Sequence, residues 1–109
     1  MIDKLKIKNL INERKRLHPD DPRVKDYWKL LTKELIINEE DTISFIQNCS
    51  EHDVYWLSEI FEDISEVFKS QKFIDNLKNV QMKYSNLDLE MDIMFAERAL
   101  KMFNENHLD

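Results

Sequence analysis

Along most of the chain apolar residues recur at intervals of three and four, the spacing that lines one side of an α-helix. The first such segment runs from Asp3 to about His18, with Ile7, Leu10, Ile11 and Leu17 in register, and His18-Pro19 ends it near Leu17. In the second, Asp21 is a natural N-cap with Pro22 at the first helical position; Val24, Tyr27, Leu31 and Leu35 form the stripe, flanked by Trp28 and Leu30. Asn38 caps a short third segment whose acidic first turn, Glu39-Glu40-Asp41, complements the positive end of the helix dipole; Ile43 and Ile46 face inward and it ends near Cys49. The fourth, opened by Ser50 with Asp53 as an approximate capping box, is the clearest. Drawn as one continuous helix, it puts Val54, Leu57, Ile60, Phe61, Ile64, Val67 and Phe68 inside an arc of roughly 140°. Ser70 caps a fifth segment with Phe73, Ile74, Leu77, Val80 and Tyr84 inward. Asn86 caps a sixth with Leu89, Ile93, Ala96, Leu100 and Phe103 inward. Connections this short favour antiparallel neighbours, so the pattern predicts an all-α fold: one domain over residues 1–109, a bundle of five to six antiparallel helices or two to three stacked α-hairpins.

Composition agrees. A chain of 109 residues accommodates one ordinary domain, and the absence of glycine with only two prolines disfavours turn-dense β architecture. No apolar run approaches the ~20 residues of a membrane span, and the charged start MIDKLKIKNL is unlike a signal peptide, so the cytoplasm is the expected location, with no membrane partner. The single cysteine, Cys49, has no partner for a disulfide or a CxxC motif and reads as a core residue. Charge is unevenly spread. Residues 1–37 carry ten Lys/Arg against six acids, a net +4, and the remainder carries six bases against sixteen acids, a net −10. So negative a surface repels a phosphate backbone, and nucleic acid is not the expected partner unless the first helix alone contacts it.

The face of the fourth segment opposite its apolar arc carries the most information. There His52, Tyr55, Glu59, Glu62, Asp63 and Glu66 fall within roughly 100° of one another, with Trp56 on the border towards the core. The plain alternative is a solvated helix side. Against it stands the absence of cations: Lys69 is the first positive side chain in the segment, and like charges at (i, i+4) cost a few tenths of a kcal/mol each in an isolated helix. Such repulsion points to a cation elsewhere, from the first helix or from another molecule. Tyr55, Trp56, Glu59, Glu62, Asp63 and Glu66 are therefore the candidate partner-binding residues.

Catalysis and metal binding find no foothold. The carboxylates lie on a hydrophilic face and not in a cleft that would separate their pKa values. His18, His52 and His107 are scattered; there is no HExxH, no glycine-rich phosphate loop, no GxSxG and no Cys/His ligand pairing, so neither a cofactor nor enzymatic activity is expected. Asp92 interrupts the apolar side of the sixth segment, where an acid could contact a bound ligand but more often bonds to a neighbouring element's backbone or a lysine, and Met91 and Met94 lie outward beside Arg98, an adaptable surface or a packing contact.

From Trp56 onward the chain reads WLSEIFEDISEVFKSQKFIDNL and then DLEMDIMFAERAL. This stretch, roughly residues 45–101, resembles small all-helical bacterial immunity proteins of polymorphic and contact-dependent toxin systems. The resemblance implies binding and neutralisation of a cognate toxin domain, commonly a nuclease, inside the producing cell. An acidic face suits a basic partner, because it mimics phosphate and speeds encounter. The alternative is a helical adaptor that self-associates through Trp28, Trp56 or the methionines.

Overall fold

The computed structural model describes residues 2–107, with side chains through 102. It is all-helical: α1 (Lys4–Lys15), α2 (Val24–Leu35), α3 (Glu39–Gln47), α4 (Glu51–Leu57), a 3₁₀ turn (Ser58–Ile60), α5 (Phe61–Phe68), α6 (Gln71–Lys83) and α7 (Glu90–His107), with no strand among the described residues. The capping side chains act as their types dictate. Asp3, Asn38, Ser50 and Ser70 each accept a hydrogen bond from the backbone N–H three residues on, at 3.1, 3.0, 3.2 and 3.2 Å, satisfying donors that have no partner inside the helix.

Every helix contributes to one continuous apolar cluster, from Ile7 and Ile11 of α1 and Leu31 and Leu35 of α2 to Ile93, Ala96 and Leu100 of α7. The Cα radius of gyration, 13.7 Å, matches the ~13 Å of a folded domain of about 100 residues, as a single core requires. The most extensive helix pair is α5 with α7. Small side chains meet there: Ser65 and Ala96 are fully buried, and the Ser65 hydroxyl donates to the Ala96 carbonyl at 2.6 Å. Lys6–Glu34 and Lys78–Glu97 ion pairs, at 2.7 and 2.8 Å, fasten α1 to α2 and α6 to α7.

Three boundaries differ from the periodic reading. First, the regular ladder of α2 begins at Val24 and not at Pro22. Asp21 still caps its approach, accepting from the Arg23 backbone N–H at 2.9 Å, while the Arg23 guanidinium and that N–H hold its carboxyl down to about 2. Second, α7 begins at Glu90, and Asn86 lies in the preceding turn, ahead of the capping position. Phe103, expected on the inner side of α7, lies outside the described side chains.

Third, the fourth segment is not one helix. Ser58 turns its hydroxyl back onto the Tyr55 carbonyl at 2.6 Å, and Ile60 leaves helical geometry at φ −116°, ψ 10°. Serine hydroxyls bonded back along a helix bend it. Beyond the turn the buried stripe departs from that of one continuous helix: Ser65 is buried, whereas Val67, expected inside, is 49 % exposed. Lys69 then closes α5 in the left-handed conformation (φ 50°, ψ 51°), its N–H donating to the Ser65 carbonyl at 2.8 Å. This position usually belongs to glycine, and a side chain there costs roughly 1–2 kcal/mol, which a chain without glycine must carry.

Candidate functional site

The break divides the acidic face into an inner and an outer part. Glu59 sits on the 3₁₀ turn, from which its carboxylate reaches back to α1. Arg14 Nε and Nη2 donate to its two oxygens at 2.8 and 2.7 Å, a bidentate pair, and Trp28 Nε1 of α2 donates to the same carboxylate at 3.1 Å. The Arg14 side chain is only 4 % exposed and that of Glu59 25 %. The guanidinium also lies 5.1 Å from the ring centroid of Trp56, and its Nη1 approaches the Leu17 carbonyl at 3.4 Å. Glu59 and Trp56, both candidates for direct partner contact, are thus parts of an internal hub joining α1, α2 and the break. The cation that balances Glu59 comes from the first helix, one of the two sources the charge pattern allows.

On the outside, Tyr55 is 53 % exposed and packs edge-on to Trp56 with centroids 5.0 Å apart. Glu62, Asp63 and Glu66 of α5 are exposed, and none of them makes an ion pair among the described residues. Asp63 and Glu66 form one side of a groove whose other side is α2, with Lys25, Lys29 and Lys33. Although Asp63 is exposed by area, partial withdrawal from water at this groove raises its carboxyl above the ordinary value. The sequence did not single out the groove. Its available signal was the (i, i+4, i+8) spacing of the three lysines, which marks one edge of α2.

His52 belongs to neither part. Its ring lies between Lys15 Nζ, at 3.1 Å, and Asp53 Oδ1, at 3.2 Å. Lys8 Nζ donates to Asp53 at 3.0 Å, so the carboxylate expected to complete the Ser50 capping box is instead turned to α1. Burial would raise the Asp53 carboxyl, but hydrogen bonds from Lys8 and His52 outweigh it and leave it below its ordinary value. Lys6, Lys8, Arg14 and Lys15 of α1 all have partners within the fold, and of these Arg14 alone is withdrawn from solvent.

Cys49 is buried as expected, and withdrawal from water lifts its thiol to about 12, so at neutral pH it is not a thiolate nucleophile. It borders a second cavity of ≈ 390 Å³ between α1, α3 and the start of α4. Asp92 is half-buried. Withdrawal from water, then the charges of Asp88 and Glu59, raise its carboxyl above the ordinary value, partly offset by the nearby Ser58 side chain. Met91 and Met94 are exposed on α7. Among the described residues no three or more His, Cys, Asp or Glu side chains converge to hold a metal ion, and no helix is long and apolar enough to cross a membrane. Comparison with family models, curated proteins and solved structures finds no match to this chain.

Proposed function

We propose that this chain is an immunity protein that binds and neutralises a cognate basic toxin domain in the cytoplasm of the producing cell, with Tyr55, Glu62, Asp63 and Glu66 as its contact residues. The observation that carries the proposal is the trio of α5 carboxylates that form no ion pair among the described residues, beside an exposed tyrosine. Trp56 and Glu59 lie beneath the same surface, where Arg14 ties them to α1. The resemblance of residues 45–101 to small helical immunity proteins supplies the class of partner. An aromatic anchor beside charges that lose water on docking is a common composition of dominant binding patches.

The proposal expects a toxin domain to be encoded beside this chain, and the test is co-expression with it, followed by growth and binding-rate measurements. Reversing Glu62 and Asp63 to Lys should slow association at low salt, whereas Tyr55→Ala should mainly speed dissociation. A doubly reversed, still-folded protein that protects and binds as fast as the parent would end the proposal. The exposed row Met91, Met94 and Met102 along α7 favours a second reading, self-association through an adaptable apolar face. Sedimentation separates the two: the second predicts dimers that persist in high salt, the first a monomer whose binding to its partner weakens with salt.

A further inference from the structure

The groove between α2 and α5 is a trough of ≈ 490 Å³ with an apolar floor and two charged rails. Trp28 and Ile36 are half-buried in the floor, and Val67 is half-exposed there. Lys25, Lys29 and Lys33 follow one another at a turn's interval, a rail of about 12 Å. Across from them stand Asp63 and Glu66, one turn apart on α5. The rails do not close on each other: among the described residues none of these five side chains forms an ion pair.

We propose that this groove receives an amphipathic helix of the partner, one carrying an apolar ridge with an acidic edge on one side and a basic edge on the other. The inference rests on the protein-binding reading above and specifies the chemistry of the bound element. Charge complementarity decides the occupant. A wholly basic or wholly acidic segment would meet one attractive and one repulsive rail, whereas a two-signed one meets two attractive rails. A strand offers only two faces and cannot present acid, apolar and base along three parallel edges; a helix does so with an ordinary (i, i+4) repeat. A cation on the partner's basic edge would also offset the loss of water that raises the Asp63 carboxyl.

The reading makes an unexpected claim about sign. If the surface worked only as an acidic patch for basic ligands, Lys29→Glu would strengthen binding; if the groove holds a two-signed helix, the same change weakens it. Three stapled synthetic helices with the same leucine ridge test this: one with a Glu edge and a Lys edge, one with two Lys edges, one with two Glu edges. Each is titrated into the ¹⁵N-labelled full chain. The two-signed helix should shift amides of residues 25–36 and 63–67 and bind about tenfold or more tightly than either single-signed helix. Lys29→Glu should weaken it, and Val67→Asp should abolish it while the rest of the spectrum stays in place, because Val67 is already half in water. The proposal falls if no helix binds, if the two-Lys helix binds as tightly, if the shifts fall elsewhere, or if dilution of the chain alone moves the same amides, which would make a second copy the occupant. The wild-type titration decides the matter even if a variant fails to fold. Toxin protection without helix binding would overturn the groove alone; helix binding without protection would overturn the immunity reading alone.

Discussion

Glu59 and Glu62 stand three residues apart in one acidic run, yet they meet opposite fates. Glu59 is held by two bonds from Arg14 and one from Trp28, whereas Glu62, like Asp63 and Glu66 beyond it, faces solvent and forms no ion pair among the described residues. The difference lies in what each acid faces. Glu59, on the 3₁₀ turn, lies against Arg14 of α1 and Trp28 of α2, whereas the acids of α5 lie on its exposed side, so one helix-spaced pattern of carboxylates is tied into the architecture at one end and left at the surface at the other. Absence of a cation within a segment therefore signals unmet charge, and tertiary geometry decides where that charge is met.

The comparison is broken most severely at its inner end. Arg14→Ala should destabilise the protein by about 2–4 kcal/mol in urea or thermal unfolding, because it leaves Glu59 partly buried without its cation and strips a packed guanidinium from Trp56. Glu59→Gln, which keeps an acceptor for Trp28, should cost less. A loss below about 0.5 kcal/mol for Arg14→Ala would show that the hub is ornamental. Two further carboxylates sharpen the contrast through the sign of their pH dependence. Asp53 sits below its ordinary 3.8, so its ionised form stabilises the fold above that value, and the contribution is lost as pH falls through the folded pKa. Asp92 sits above 3.8, so ionisation opposes folding, and the penalty disappears as pH falls through the raised value towards 3.8. The stability of Asp53→Asn relative to the parent should thus worsen from acid to neutral pH, and that of Asp92→Asn should improve over the higher part of the same range. Parallel slopes from unfolding curves at several pH values would contradict both assignments. The smallest effect belongs to the outer acids: Glu62→Lys with Asp63→Lys should change stability by no more than about 0.5 kcal/mol, since neither forms an ion pair among the described residues. A larger loss by the same melts would place them in the architecture with Glu59.

Local signals in the sequence carried most of the fold. Asn38, Ser50 and Ser70 cap where their side chains predict, and Val54, Leu57, Ile60, Phe61 and Ile64 are all buried as their spacing requires. Periodicity fails where the deciding contact is distant. Nothing about Arg14 within its run of Arg14-Lys15-Arg16 distinguishes the one side chain that is buried, because its carboxylate lies 45 residues away. The break had a faint local trace in Ser58, a residue able to bond back onto its own helix, but without the Arg14 pair such a serine is compatible with a continuous helix. Of the site, the outer acids and Tyr55 were legible as exposed polar positions; the groove was not, since it needs the facing of α2 against α5.

The two links from α1 to the α4 region, Lys8 with Asp53 and Arg14 with Glu59, each span 45 residues of chain. Closing so long a loop costs more entropy than forming the nearby α5–α6–α7 contacts, so in time the carboxyl-terminal helices should assemble first and α1 should dock onto them late. A late-docking element leaves its mark on the rate of unfolding and little on the rate of folding. The Arg14 hub then acts as a latch: it sets the lifetime of the native molecule, and stopped-flow traces of Arg14→Ala should show faster opening with refolding nearly unchanged.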